Sequence, residues 1–457
     1  MSKKTCKKKN KIKKNITKKR KINKLGIKTK KFIKYKLKTH GGSQESDYIE
    51  DRTDALIAVI NSNIGEEDRV LEARTILQEI DKAVMDRILN SKDYDKNLIM
   101  NVILADDFSF DILKLLIVDY GANVNLIFDD GSPLVGFVMY IQPCEESIKL
   151  FLDNGLDTKW IGNGSDFAGD TYASLVARNG LDYSSNIIQQ LLNVETINII
   201  HKNRNTVLLD ALKSPHNNKE MLKQILGDYY YKIDINHTNN FGETAINLAA
   251  KNNNICIIKQ ILCIAQLKPL YAKLRNETMS FLNEDVLSKI FKDINANIIN
   301  LNAQTEHEKK TALMLSIDNY KKDTKEIIKI LIDAGADINL QDSDANTALM
   351  LIMKKYDYDS IKYLIEAGAN INLQNRKGKT ALMLILEQCN QEPSQGDIIK
   401  EIVYELINSG ADINLRDING NTIEYYIDEG ILNKQLKKEI KKIVSSFSNK
   451  SVECCVY

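Results

Sequence analysis

Five histidines and seven cysteines are the residues of this 457-residue chain best suited to hold a metal, abstract a proton or attack a substrate. A metal site or a catalytic pair draws such groups together at short, regular spacings or within reach of a partner base. Here His40, His201, His216, His237 and His307 are scattered, and His237 and His307 fall in turn segments. The histidines are therefore read as solvated loop residues, not as ligands or bases. Cys6, Cys144, Cys256, Cys263, Cys389, Cys454 and Cys455 form no C-x-x-C pair, and their number is odd, which fits a reducing, intracellular compartment. The chain contains no GxxxxGK[ST], no HExxH and no GxSxG. GNGSDFAG at 162–169 has three glycines at neither phosphate-binding spacing, so it reads as a turn. Cys454 stands fourth from the end, as in a prenylation site, but Tyr457 is not a usual last residue. No catalytic, cofactor-binding or metal-binding residue is assigned, and no enzymatic activity is expected.

The elements that would position any site are written in a repeat. AGADINL at 334–340 returns as AGANINL at 367–373 and as SGADINL at 409–415. From Gly335 to Gly368 is a step of 33, and from Gly368 to Gly410 a step of 42, one period with an insertion of 9. A fixed period of this size is the mark of stacked units that cannot bury their apolar faces alone. Seven, four and three residues before the glycine stand Ile328, Leu331 and Ile332, then Ile361, Leu364 and Ile365, then Val403, Leu406 and Ile407. That spacing puts them on one face of a helix, and the glycine sits where a helix ends in a left-handed residue. TALM at 311–314, 347–350 and 380–383 opens the next helix, with threonine at the N-cap or first turn.

Looser copies extend upstream. Thr278 lies a step of 33 before Thr311, Thr244 a step of 34 before Thr278, and Thr206, Thr171, Ser132 and Asn97 continue the series. Gly121 and Gly155 repeat the helix stop, with Ile117 and Val118, then Phe151 and Leu152, four and three residues before them. A last unit starts at Thr422, giving about ten units. LNKQLKKEIKKIVSSF at 432–447 has Leu432, Leu436, Ile440 and Val444 four apart among lysines, and reads as a capping helix.

The order D-x-x-G-x-T-P-L-H, two helices, then G-A-D-V-N resembles the ankyrin repeat, through Asp342, Thr347, Leu349 and Gly335-Ala336-Asp337-Ile338-Asn339. Ala348 and Ala381 replace the family's proline, and Met350 and Met383 replace its histidine, which removes a loop-fixing hydrogen bond. The resemblance covers roughly 90–445 and is sharpest at 299–422. Such Lys-, Asn- and Ile-rich arrays are similar to the ankyrin-repeat proteins of giant DNA viruses of amoebae. The resemblance implies an all-α, helix-turn-helix solenoid whose turn tips and concave first-helix faces bind a protein partner, with a host protein as a candidate. It divides the chain into a basic disordered tail (1–48), a helical cap or degenerate repeat (49–96), the array (97–431) and a capping helix with a short tail (432–457). Carried onto this sequence, the tips are Asn240 and Phe241, Ser343 and Asp344, Arg376 and Lys377, and Ile418 and Asn419. The first-helix positions on the same face are Asp318, Lys354, Lys355 and Glu387. The insertion EQCNQEPSQGD at 387–397 lengthens one inter-helix loop, with a functional edge and simple tolerance both open.

Charge divides the chain unevenly. The formal net charge is +2, yet residues 1–40 hold 19 of the 63 Lys and Arg and no acid. The rest has 44 bases against 61 acids, a net of −17. Lys7, Lys8, Lys9, Lys11, Lys13, Lys14, Lys18, Lys19, Arg20 and Lys21 are dense enough for nuclear import or for contact with a polyanion. Phe32 and Tyr35 among the lysines could stack on bases. A solvated arm without a specific role, and a tail folded back over the concave face of the acidic body, also stay open. No apolar run approaches the roughly 20 residues that span a bilayer, and no leader of signal-peptide type is seen. The expectation is a monomeric intracellular scaffold, in the cytoplasm or nucleus of a host cell, with a protein partner. A nucleic-acid-associated or nucleus-targeted protein is the alternative, and a ubiquitin-ligase adaptor would need an F-box-like or BTB-like segment that the chain does not show.

Overall fold

Short helices in pairs, separated by polar turns, account for the apolar periodicity. The structure, a computed structural model, describes residues 52, 54–60, 62, 64–93, 97–105, 108–141, 144–163, 167–179, 183–201, 203–213, 218–264, 299–388, 395–429 and 433–453. The basic tail, the Thr278 segment, Leu432, His40, His216 and most of the 387–397 insertion lie outside that set. The chain divides into two compact units, Met1–Ala168 and Gly169–Tyr457. Among the described residues there are helices and no strands, with one isolated bridge between Ile127 and Pro133.

In the N-terminal unit, residues 54–60, Glu66–Gln78 and Lys82–Leu89 are helical ahead of two pairs. These are Leu98–Leu104 with Phe110–Asp119, and Leu134–Ile141 with Glu145–Asp153. The second helix of the first pair finishes as a π-turn over Leu115–Asp119. This corrects the apolar register before Gly121. The wider turn buries Leu115, Leu116 and Ile117 and rotates Val118 out, to 50% exposure.

In the C-terminal unit the pairs are Tyr172–Asn179 with Ser185–Leu191, Val207–Lys213 with Lys219–Gly227, and Ala245–Lys251 with 255–264. Ala312–Asp318 pairs with Thr324–Asp333, and Ala348–Ile352 with Tyr358–Glu366. Ala381–Gln388 pairs with Gly396–Asn408, and Ile423–Asp428 with Lys434–Glu453. First helices set between two others are buried almost all round, as in Ala312–Ile317, which lies between Ala245–Lys251 and Ala348–Ile352. Second helices bury one stripe only, such as Ile327, Ile328 and Leu331, and leave Lys325, Glu326 and Lys329 in solvent. Leu436 and Ile440 of the last helix are buried, and Lys400 meets Glu439 at 2.7 Å across it.

The repeated letters have distinct structural jobs. Thr311, Thr347 and Thr380 each accept a hydrogen bond from the backbone N–H three residues on, at 3.4, 3.3 and 3.3 Å. Gly335, Gly368 and Gly410 have φ of +94°, +95° and +96°, open space around a notional Cβ, and Schellman bonds. In the first copy these run from Gly335 N–H to the Ile332 carbonyl (2.9 Å) and from Ala336 N–H to the Leu331 carbonyl (3.0 Å). Asn339 then staples the next repeat: its side chain accepts from Asn370 N–H at 2.7 Å and donates to the Gly368 carbonyl at 3.3 Å. Asn372 does the same to Asp412 N–H and the Gly410 carbonyl, at 2.8 and 3.0 Å.

The unit expected to start at Thr278 lies outside the described residues, and residues 244–264 meet residues 299–333 directly. Asn247 donates to the Ala303 carbonyl at 3.1 Å, Glu306 N–H to the Phe241 carbonyl at 2.7 Å, and Lys259 pairs with Glu326 at 2.8 Å. Nine helix pairs thus follow the cap residues among the described residues.

Candidate functional site

Four turn tips are each built on one polar anchor five residues before the threonine that opens the next helix. The Asp342 carboxylate accepts from Asp344 and Asn346 N–H at 2.9 and 2.7 Å. Asn375 accepts from Lys377 and Lys379 N–H, both at 3.0 Å, and Asp417 from Asn419 and Asn421 N–H, both at 2.9 Å. Asn239 repeats the pattern with Phe241 and Glu243 N–H, at 2.9 and 3.0 Å. The residue three after the anchor takes φ > 0, as Ala345 (+60°), Gly378 (+68°) and Gly420 (+83°).

Neighbouring tips are tied through the main chain. Asn240 N–H donates to the Asn203 carbonyl (3.3 Å), Ser343 N–H to Glu308 (2.8 Å), Arg376 N–H to Asp344 (2.9 Å) and Ile418 N–H to Lys377 (3.1 Å). The side chains of the same residues are left facing outward. Phe241 is 51% and Ile418 70% exposed; Asn240, Asp344, Arg376, Lys377 and Asn419 are exposed, and Ser343 is half-buried. The structure thus gathers the eight tip residues into one connected edge of the C-terminal unit.

The first-helix residues are partly committed elsewhere. The residues one before and seven after the threonine clasp four of the repeats: Asp170–Arg178 (2.6 Å), Glu243–Lys251 (2.9 Å), Lys310–Asp318 (2.7 Å) and Lys379–Glu387 (2.6 Å). Asp318 and Glu387 are therefore the acidic halves of internal ion pairs. Sequence reasoning placed both on the partner-facing surface without seeing the clasp, although the eight-residue spacing of opposite charges carries it. Lys354 has Asn346 where its neighbours have a charge and stays exposed; exposed Lys355 reaches the Asp318 carbonyl at 3.5 Å.

Burial opposes the charge on Glu243, but hydrogen bonds from Asn239 and Lys251 hold its carboxyl below the usual range. At Asp417 burial again works against ionisation, and the bonds from the Tyr426 hydroxyl (2.5 Å), Asn421 and Asn419 outweigh it and pull the carboxyl down to about 2.

His201 departs from this pattern and from expectation. It stands at the anchor position before Thr206, but its imidazole is fully buried instead of solvated. Nε2 lies 2.6 Å from Asp210 Oδ2 and Nδ1 lies 3.8 Å from Asp170 Oδ1. Asn205 donates to the other Asp210 oxygen at 2.7 Å, and Arg178 reaches Asp170 at 2.6 Å and Asp210 at 3.8 Å. Ionic groups this deep persist only when paired. The missed signal is Asp210 inside the apolar run VLLDAL, a carboxylate that needs a buried partner. His237 is half-buried with Nε2 2.7 Å from the Arg204 carbonyl oxygen, and His307 is exposed. Among the described residues no group of three or more His, Cys, Asp or Glu is placed to hold a metal ion. No described helix is long and apolar enough to cross a membrane.

Among solved structures, the ankyrin repeat domain of Bcl-3, a unique member of the IkappaB protein family, is similar at 17% identity and a TM-score of 0.41. That likeness covers 60% of this chain and 99% of that one. The family model for ankyrin repeats, described as three copies, matches residues 216–342, 283–375 and 313–417. Over residues 216–417, a little under half of its length, the chain is thus similar to ankyrin repeats in sequence; helix pairs continue beyond that stretch on both sides, with glycine stops upstream at Gly121 and Gly155.

Proposed function

We propose that this chain is a protein-binding scaffold that presents its turn tips and the adjoining first-helix ends to a partner, with no chemistry of its own. Ankyrin repeats are in general protein-interaction modules. The observation that carries the reading is the division of labour at the tips: main-chain bonds and anchor side chains fix the loop, while Phe241, Asp344, Arg376, Lys377 and Ile418 point into solvent. Those residues differ from repeat to repeat, as specificity-bearing positions would. Exposed Phe241 and Ile418 have no core role, and aromatic and Arg anchors are common binding hot spots.

The test is affinity capture with the full chain and with a Phe241→Ala, Arg376→Ala, Lys377→Ala, Ile418→Ala variant whose circular dichroism is unchanged. Capture by the original chain and loss in the variant supports the reading. The same proteins retained at the same yield by both would refute it.

The composition, rich in Lys, Asn and Ile, and the divergent repeats support a viral source and hence a host protein as partner. A second reading, nucleic-acid association or nuclear targeting in the cytoplasm or nucleus, is favoured by the 19 cations without an acid in residues 1–40. It requires binding to RNA or DNA that weakens steeply with salt.

A further inference from the structure

The N-terminal unit has a helix face that no described residue covers. On Glu66–Gln78, the residues Ala73, Leu77 and Arg69 turn inward, while Glu67, Asp68, Leu71, Glu72 and Thr75 lie together on the outer face. Leu71 is 64% exposed. Glu67, Asp68 and Glu72 make no ion pair with any described residue, whereas the helix's own arginines are already engaged. Arg69 pairs with Glu66 at 2.6 Å, and Arg74 with Asp119 of Phe110–Asp119 at 2.8 Å. An apolar residue set among unpaired carboxylates suits a ligand that is both basic and apolar.

The chain contains such a ligand next door. Residues 41–168 hold 25 acidic and 10 basic residues, a net of −15, so nearly all of the −17 outside the tail belongs to this unit. The tail before them, residues 1–40, carries 19 positive charges interleaved with Ile12, Ile16, Ile22 and Phe32. Where the tail joins also fits. Arg52 pairs with Glu79 at 2.7 Å, so the described chain begins beside the C-terminal end of this helix. The linker, residues 41–51, spans up to about 36 Å when extended. The 13-residue helix is about 20 Å long. Tethering makes the encounter intramolecular, with an effective concentration in the millimolar range for a short linker.

We propose that residues 1–40 dock on the outer face of Glu66–Gln78, with lysines against Glu67, Asp68 and Glu72 and an apolar tail residue over Leu71. The occupant is this chain's own tail, and the surface is this helix, not the tip edge. Docking would hold the tail away from polyanions until a stronger one competes for it.

Zero-length carbodiimide crosslinking of the full chain, read by mass spectrometry, tests this. The expected products join lysines of residues 1–40 to Glu67, Asp68 or Glu72, within one chain, and their yield falls at least about fivefold in 1 M salt, where the screening length is about 3 Å. The Lys149–Asp153 and Lys325–Asp359 pairs, at 2.7 and 3.0 Å, serve as internal controls. A Glu67→Lys, Asp68→Lys, Glu72→Lys variant should lose the tail crosslinks and keep the controls. Control links without tail links in the unaltered chain, tail links that map to other carboxylates, or links only between isotopically distinct chains would each overturn the proposal. Displacement of the tail links by an added single-stranded oligonucleotide is expected.

Discussion

The anchors at Asp342 and at His201 occupy the same place in their repeats and solve different problems. At Asp342, as at Asn375 and Asp417, one side-chain oxygen accepts two backbone N–H groups of its own loop, and what reaches past the loop is a single bond, from Asn375 to Asn346 at 3.0 Å or from the Tyr426 hydroxyl to Asp417 at 2.5 Å. At His201 the loop keeps its backbone bonds, His201 N–H to the Asn205 carbonyl at 3.2 Å and Arg204 N–H to the His201 carbonyl at 2.7 Å. The side chain leaves the loop and joins Asp170, Arg178 and Asp210 of two successive repeats. A local cap tolerates change, because any acceptor of the right reach will serve. A buried ionic cluster does not, because removing one member strands the others.

That contrast can be broken or sharpened by measurement. The largest effect is expected for Asp210→Asn, which keeps the shape and removes the charge facing His201 and Arg178. It should lower stability by about 3 to 5 kcal/mol in urea unfolding. Asp342→Asn, the same chemical change at the local anchor, should cost about 1 kcal/mol or less, since Asn375 and Asn239 already perform that task as amides. Equal losses in the two variants would erase the distinction.

Next come two glycines with similar φ and different surroundings. A Cβ at Gly378 would lie 2.7 Å from Ile418 N and 2.9 Å from the Asp417 backbone, in the next tip. Gly378→Ala should therefore exceed the purely conformational penalty of about 1 kcal/mol expected for Gly335→Ala, where open space surrounds the added atom. Unfolding midpoints of the two variants decide it.

The smallest effect concerns Asp417, whose carboxyl lies near 2 against 3.8 for a free aspartate. A depressed value in the folded state adds stability above about pH 4 that is lost as pH falls toward 2. Tyr426→Phe removes the 2.5 Å hydroxyl bond and should lower the melting temperature at pH 7 by a few degrees, with the two proteins converging at about pH 2. A gap that persists unchanged at low pH would assign the loss to packing.

The punctuation of the repeats was legible because it rests on local chemistry. A glycine before Ala-Asp announces a left-handed stop, and a threonine before an apolar run announces a cap; both appear where expected at Gly335 and Thr347. What was hidden depends on distance. Residues 244–264 meet residues 299–333 directly, although the period places them two units apart in sequence. Asp170 and His201 belong to successive repeats and meet only through stacking. The π-turn that exposes Val118 follows from packing that no pattern of letters states. For the candidate surface, exposure of the tips follows from their turns, while the engagement of Asp318 and Glu387 in clasps was visible only as recurring charge pairs eight residues apart.

The rungs between tips are made of N–H and C=O groups, so the distance from one tip to the next does not consult the side chains it carries. Residues 343, 344, 376, 377, 418 and 419 can therefore be rewritten while the frame that displays them keeps its measure, provided the anchors and Gly378 stay. An edge of this kind separates what is said from the spacing of the lines on which it is written. New recognition could arise by substitution alone, with folding left almost untouched.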